Sequence, residues 1–141
     1  MLVKNRMATD VITLSPDQSL LKAMNILHKK RIRHLPVVQG GKVVGIVTLG
    51  DIREASPSNA TALSIYELNY LLARLTVGEI MTRDPFTVSP DTSIEAAARI
   101  MLEHKIGSLP VVAEMKLVGI ITESDIFRLL VTESEPRPTF A

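Results

Sequence analysis

The stretch Val44-Gly45-Ile46-Val47-Thr48-Leu49-Gly50-Asp51-Ile52 decides the fold, because the chain contains it twice. The second copy, Val118-Gly119-Ile120-Ile121-Thr122-Glu123-Ser124-Asp125-Ile126, lies 74 residues further on (118 − 44 = 74). Each copy is an apolar, largely β-branched run followed by a threonine and an aspartate at helix-start spacing. The sequence therefore predicts, in both copies, a strand that leads directly into a helix.

The same register extends towards the N-terminus of each copy without a gap. Leu35-Pro36-Val37-Val38 aligns with Leu109-Pro110-Val111-Val112, and Met7-Ala8-Thr9-Asp10 aligns with Met81-Thr82-Arg83-Asp84. Turn, core and polar residues keep one register over this whole length, which indicates the duplication of one structural unit.

Each repeat is predicted to fold in the order β-α-β-β-α, which gives an α/β (α+β) fold. In the first repeat, Val11–Leu14 is read as a strand, and Leu20, Met24 and Leu27 follow at helical spacing. One repeat alone would bury little apolar surface. We therefore expect the two repeats to pack with pseudo-two-fold symmetry into one module.

The two repeats differ at the predicted hairpin turn. The first has Gln39-Gly40-Gly41-Lys42, whose glycines suit the positive φ angles of a tight turn. The second has Ala113-Glu114-Met115-Lys116, without glycine, so different turn chemistry is expected there. In the second repeat, Thr92 and Glu95 also have the spacing of a helix capping box.

The predicted organisation has four parts: the first repeat at 1–54, a linker with a helix at 55–79, the second repeat at 80–131 and a tail at 132–141. Ser56-Pro57-Ser58-Asn59 breaks the chain, and Leu63–Leu75 then reads as a helix with leucines on one side. This helix either covers the module itself or docks a partner.

Composition excludes several classes of function. The chain has 141 residues, a net charge of +1 and no cysteine. It therefore has no disulfide, thiolate metal site or cysteine nucleophile, and its charge does not point to direct nucleic-acid binding. No apolar run approaches the roughly 20 residues that span a bilayer, and no apolar run follows the charges of the N-terminus. We expect a cytoplasmic protein that is not associated with a membrane.

Catalytic motifs are also absent from the sequence. It has no Gly-x-Ser-x-Gly and no Walker-type Gly-Lys-Ser/Thr, and no two histidines have helical metal-ligand spacing. The matched aspartates have no obvious base or nucleophile beside them. We therefore expect a chain that is not an enzyme, with no metal site and no obligatory cofactor.

The pairing of Leu-Pro-Val-Val with Gly-Ile-Val-Thr-x-x-Asp-Ile in one repeat, and with Gly-Ile-Ile-Thr-x-x-Asp-Ile in the other, resembles the cystathionine β-synthase (CBS) domain family. The resemblance covers about Met7 to Leu130. The Asn5-Arg6-Met7 opening and the linker helix are similar to the CBS portion of acetoin-utilisation-type proteins, which often carry a C-terminal ACT domain.

The resemblance implies a regulatory module that binds an adenosine-containing ligand in the cleft between its repeats. AMP, ADP and ATP are the expected ligands, and S-adenosylmethionine or NAD would also fit. It further implies a homodimer and a separate regulated protein. The alternative is a structural dimerisation module with degenerate pockets. Met24, Ile26, Ile100 and Met101 either form the apolar dimer surface or belong to the internal core.

The resemblance also places the ligand-binding residues. The first site would comprise Thr48, Asp51, Arg33, His34, Pro85, Phe86 and Thr87. The second site would comprise Thr122, Asp125, Gly107, Ser108, Val11, Ile12 and Thr13. A carboxylate can accept two hydrogen bonds from a ribose diol. Phe86 would pack either on the adenine base or in the core. The alternative role of both aspartates is that they are only helix N-caps.

The two predicted sites differ in charge. Arg33 and His34 at the first suit an anionic phosphate, whereas Gly107 and Ser108 at the second lie near Glu123, which disfavours one. A nucleotide should therefore bind more tightly at the Asp51 site. Four cations are candidates to meet phosphate charge or are solvated surface charges: Arg31, Arg53, Lys105 and Arg128.

Overall fold

The computed structural model describes residues 1–56 and 64–134. Part of the predicted linker, including Pro57–Asn59 and Leu63, and the tail from residue 135 lie outside the described residues. In chain order the helices and strands are α1 Leu20–Lys30, β1 His34–Gln39, β2 Lys42–Thr48, α2 Leu49–Ala55, α3 Ile65–Arg74, α4 Val77–Ile80, β3 Thr82–Arg83, α5 Ile94–His104, β4 Ser108–Ala113, β5 Lys116–Thr122 and α6 Glu123–Ser134. The predicted α/β (α+β) fold class is confirmed.

The chain forms two compact units that do not follow the linear order of the repeats. The first unit is the continuous stretch Ile12–Pro85, and the second unit joins Met1–Val11 to the chain from Phe86 onward. The opening segment of the second repeat therefore completes the first unit, and the N-terminal segment completes the second.

Each unit has its own apolar core. In the first unit, Leu20 and Leu27 of α1 pack with Leu35 and Val47 of the hairpin. In the second unit, Leu109 and Ile121 occupy the matching hairpin positions. Val3, from the N-terminal segment, is fully buried in that second core and donates its backbone N–H to the Thr92 carbonyl at 2.8 Å.

The hairpins of the two units have the same register. His34 pairs with Thr48 in β1–β2, and Ser108 pairs with Thr122 in β4–β5, with a bulge after Val37 in one and after Val111 in the other. In the first unit a short third strand, β3, extends the sheet along β2. This edge strand is not visible in the local sequence pattern.

Gly45 and Gly119 lie where another segment crosses the hairpin closely. A Cβ on Gly119 would lie 2.6 Å from the Met7 sulfur and 2.9 Å from the Ala8 carbonyl oxygen. A Cβ on Gly45 would overlap the Met81 sulfur and lie 3.0 Å from the Thr82 carbonyl oxygen. Glycine is required in both strands because a backbone approaches at that point.

The predicted opening strands are wrong in extent. Leu14 forms only an isolated parallel bridge with Val37, and Val88 forms the matching bridge with Val111. Val11, Ile12 and Thr13 are in neither a strand nor a bridge. A turn follows directly, in which the Ser15 N–H donates to Gln18 Oε1 at 2.9 Å.

The first helix of each repeat begins and ends in the same way. Ser19 caps α1 and Ser93 caps α5, each accepting a backbone N–H three residues on. The capping box predicted from Thr92 is therefore wrong by one residue, and Thr92 instead accepts the Ser89 N–H at 3.1 Å. Arg31 and Lys105 end the two helices in the left-handed conformation.

The hairpin turns use the same backbone geometry despite their different sequences. Gly40 and Gly41 have φ angles of 61° and 81°, and Glu114 and Met115 have 51° and 67°. Two successive positive φ angles are typical of a type I′ turn. The expectation of different turn chemistry is therefore wrong, and the second hairpin carries the cost of left-handed L-residues, about 1–2 kcal/mol each.

The linker helix α3 packs on the first unit itself. Leu72 is buried, and Leu68 and Leu75 pack against the same core, while Leu71 is partly exposed. The Leu75 carbonyl accepts the N–H of Leu20, the first residue of α1, at 2.8 Å. These contacts favour the covering role over partner docking for the apolar side of this helix.

The predicted dimer surface is not a free apolar face. Met101 is 6% exposed and belongs to the second core, and Met24, Ile26 and Ile100 pack partly against the two cores. The internal-core alternative therefore applies to Met101, and the other three are shared between core and surface.

Candidate functional site

The Thr48–Asp51 pair lies where β2 ends and α2 begins. The Asp51 N–H donates to Thr48 Oγ1 at 3.1 Å, and the Thr48 N–H donates to Asp51 Oδ2 at 2.9 Å. Thr48 is thus the N-cap of a reciprocal capping box. The predicted N-cap role for Asp51 is corrected: Asp51 is the third helical residue and uses only Oδ2 in the box.

The start of β1 brings Arg33 and His34 to the same place. His34 is the cross-strand partner of Thr48, and the Leu49 N–H donates to the Arg33 carbonyl at 3.0 Å. Arg33 is exposed, and Thr48, Asp51 and His34 are half-buried. The structure therefore brings four predicted first-site residues together within the first unit.

The second unit repeats this arrangement around Asp125. The Thr122 N–H and Thr122 Oγ1 both donate to Asp125 Oδ2, at 2.9 and 3.1 Å. Ser108 is the cross-strand partner of Thr122, and the Glu123 N–H donates to the Gly107 carbonyl at 3.0 Å. Four predicted second-site residues are therefore together as well.

An ion pair distinguishes the two aspartates. Arg128 Nη1 donates to Asp125 Oδ1 at 3.1 Å, with the two side chains 75% and 15% exposed. The same helix position in the first repeat is Glu54 (128 − 74 = 54). The sequence analysis predicted Arg128 as a phosphate contact or a solvated surface charge and missed the ion pair, although the i, i+3 spacing from Asp125 is a signal for such a pair.

The remaining predicted site residues divide between the units. Pro85, Ile12 and Thr13 belong to the first unit, and Val11, Phe86 and Thr87 belong to the second. Both predicted sites thus draw residues from both units, and these contributions stay predictions.

Phe86 stacks on His104, with ring centroids 3.9 Å apart and planes at 21°. Its side chain is 49% exposed. The core alternative for Phe86 is therefore wrong. The packing of Phe86 on adenine stays a prediction.

Within residues 1–56 and 64–134, no group of three His, Asp or Glu side chains is arranged to hold a metal ion. Across the same ranges, the helices are too short or too polar to cross a membrane.

Comparison with protein families gives a match to the CBS domain at residues 3–58 and again at 77–132. Among curated proteins, the chain is 39% identical over 119 residues to an inosine-5′-monophosphate dehydrogenase of Korarchaeum cryptofilum, covering 84% of this chain and 22% of that protein. The chain spans about a quarter of the length of the first curated relatives that it matches.

Solved structures with this architecture include ligand complexes. A CBS domain pair in complex with 5′-methylthioadenosine and S-adenosyl-L-methionine is similar with a TM-score of 0.79 and 34% identity, covering 95% of this chain and 98% of that one. CBSX2 in complex with AMP is similar with a TM-score of 0.75 and 31% identity, covering 95% of this chain and 98% of that one. A protein assigned to acetoin utilisation in Vibrio cholerae is similar with a TM-score of 0.76 and 33% identity, covering 98% of each chain.

Proposed function

Because the chain belongs to the CBS domain family and contains two such domains, we propose that it is a non-catalytic regulatory module that binds an adenosine-containing ligand. Support comes from the two similar CBS domain pairs crystallised with AMP and with S-adenosyl-L-methionine and 5′-methylthioadenosine. The proposed ligand is AMP, ADP or ATP, with S-adenosylmethionine or NAD as alternatives. The proposed location is the cytoplasm, which cell fractionation would test.

The observation that carries the proposal is the Asp51 carboxylate. Its Oδ2 completes the capping box, while its Oδ1 accepts no hydrogen bond from any residue that the structure describes. A half-buried carboxylate with one unused oxygen is a ready acceptor for a ribose hydroxyl, and hydrogen bonds to charged groups contribute about 1.5–3 kcal/mol. Arg33 is exposed and its carbonyl accepts the Leu49 N–H at the start of α2, so its guanidinium is the candidate cation for phosphate.

Calorimetric titration of the chain with AMP, ADP, ATP, S-adenosylmethionine and NAD tests the proposal. We expect saturable binding of at least one adenine nucleotide. Ligand at a hundredfold excess over its dissociation constant should stabilise the fold by about 2.7 kcal/mol, seen as a higher unfolding temperature. The nucleotide should be recovered unchanged after long incubation.

Two results would contradict this function. No binding of any adenosine compound would favour the structural dimerisation module. Conversion of the nucleotide to a product would show an enzyme instead of a binding module.

We propose in addition that the module is a homodimer whose contact includes the outer side of α6. Phe127 and Leu130 on α6 are 57% and 61% exposed, and Leu102 on the adjacent α5 is 80% exposed. All three belong to the second unit. Three large exposed apolar side chains on neighbouring helices are typical of a surface that another molecule covers.

Leu130→Glu should dissociate this dimer, because it places a charge in an apolar contact. Sedimentation at tens of micromolar should give twice the 15.5 kDa chain mass for the wild type and the single-chain mass for the variant. Lys116→Glu, on the exposed hairpin tip, is the control and should stay dimeric. A monomeric wild type would contradict the assembly. An unchanged Leu130→Glu dimer would contradict the assigned surface.

A further inference from the structure

The two repeats carry opposite charges at one helix position. Three residues after Asp125, the second repeat has Arg128, and three residues after Asp51, the first repeat has Glu54. Arg128 Nη1 contacts Asp125 Oδ1 at 3.1 Å. No described residue makes the matching contact with Asp51 Oδ1. Both carboxylates accept the backbone N–H of the threonine three residues earlier on Oδ2, and Asp125 Oδ2 also accepts the Thr122 hydroxyl. The charged contact, however, is found only at Oδ1 of Asp125.

Asp125 is consequently occupied on both oxygens. Its Oδ2 accepts two hydrogen bonds from Thr122, and its Oδ1 is covered by the guanidinium. A ribose diol that approaches Asp125 competes with Arg128 for Oδ1. The displacement is inexpensive because Arg128 is 75% exposed, and exposed ion pairs contribute only about 0–1 kcal/mol.

What replaces the lost ion pair depends on the ligand. A neutral nucleoside offers the released guanidinium no charged partner. A ligand with a 5′ phosphate offers an anionic partner on the same ribose, and arginine binds phosphate with charge-assisted, bidentate hydrogen bonds. Glu123, the exposed carboxylate at the start of α6, adds negative charge near this site, so a phosphate bound there needs a cation such as Arg128.

We propose that Arg128 is a specificity-determining residue of the second site: it covers Asp125 in the free module and transfers to the ligand's 5′ phosphate on binding. The second site is then selective for nucleotides over nucleosides. This inference rests on the proposed function, since it assigns the ligand class of one of its two sites.

The test is a calorimetric comparison of AMP with adenosine in an Asp51→Asn background, which removes the first-site ribose contact. In this background, Arg128→Gln should weaken AMP binding about tenfold, the lower range for a hydrogen bond to a charged group. It should leave adenosine binding unchanged or strengthen it by up to about fivefold, because the competing ion pair is gone. Arg99→Gln, an equal loss of charge from exposed α5 of the same unit, should change neither ligand.

The outcomes separate the two proposals. Wild type that binds no adenosine compound overturns the proposed function and this inference with it. Three other results overturn the inference alone, provided that the wild type binds. The first is an Asp51→Asn module that no longer binds AMP. The second is an Arg128→Gln variant whose preference for AMP over adenosine is unchanged. The third is an Arg99→Gln variant that loses as much AMP affinity as Arg128→Gln does.

Discussion

Replacing Asp51 with asparagine should weaken AMP binding at the first site by about 10- to 150-fold, as the loss of a hydrogen bond to a charged group implies. The amide oxygen of asparagine can still accept the Thr48 N–H, so the capping box and the fold should survive. The other half of the side chain becomes a donor, which cannot accept a ribose hydroxyl. Calorimetric titration of wild type and variant measures the change.

Asp125→Asn is the matched control in the second repeat. Because Arg128 already occupies Asp125 Oδ1, this variant should lose less total nucleotide affinity than Asp51→Asn. Asp51→Ala should match Asp51→Asn in binding but should also lower stability by about 1 kcal/mol, because it removes the hydrogen bond that Asp51 Oδ2 accepts from the Thr48 N–H in the capping box. Unchanged affinity in Asp51→Asn, or an equal loss in both asparagine variants, would contradict the asymmetry between the sites.

Gly45→Ala should destabilise the first unit by about 1–3 kcal/mol, the usual cost of overpacking a tight contact. Its Cβ would overlap the Met81 sulfur, and the Thr82 carbonyl, 3.0 Å away, limits how far the crossing segment can retreat. Gly119→Ala should behave alike in the second unit, against Met7 and Ala8. Urea unfolding midpoints at an unchanged m-value report the loss.

Gly50→Ala is a control for which we expect the opposite change in folding stability, an increase. An added Cβ there would meet only Thr48 Oγ1, at an ordinary 3.5 Å, and Gly50 lies within α2. Alanine should therefore raise stability by about 0.4–1 kcal/mol.

In a Met81→Ala background, the loss of stability caused by Gly45→Ala should be smaller, because the Met81 sulfur that the new Cβ would overlap is gone. A cost that is the same in both backgrounds would contradict the packing explanation.

The hairpins and principal helices could be predicted because their signals are local. Apolar alternation, helical spacing and the threonine before each aspartate lie within a few residues of the elements that they specify. Because the repeat places each of these patterns in the sequence twice, each helix and strand prediction had two independent observations behind it. The shared turn at Glu114 and Met115 was missed because a hairpin's strand pairing can impose a backbone that its turn residues do not favour.

The parts that could not be predicted depend on distant contacts. Nothing near Met7 or Met81 in the sequence shows which strand it crosses. At the site, the Thr-x-x-Asp pairs and their strand partners follow from the hairpin register. The difference between the aspartates required Arg128 and Glu54 to be compared across the repeats.

The way in which the segments are shared between the units imposes an order on folding. The first unit, Ile12–Pro85, is one continuous stretch, so all its contacts are available once that stretch has left the ribosome. The second unit needs Val3 to reach Thr92, 89 positions away (92 − 3 = 89). Closing so long a loop lowers the chain entropy before the contacts at its ends contribute any stabilisation. Pairings at such a sequence separation therefore form slowly. Met1–Val11 is therefore synthesised before Thr92 but is among the last of these segments to reach its native position.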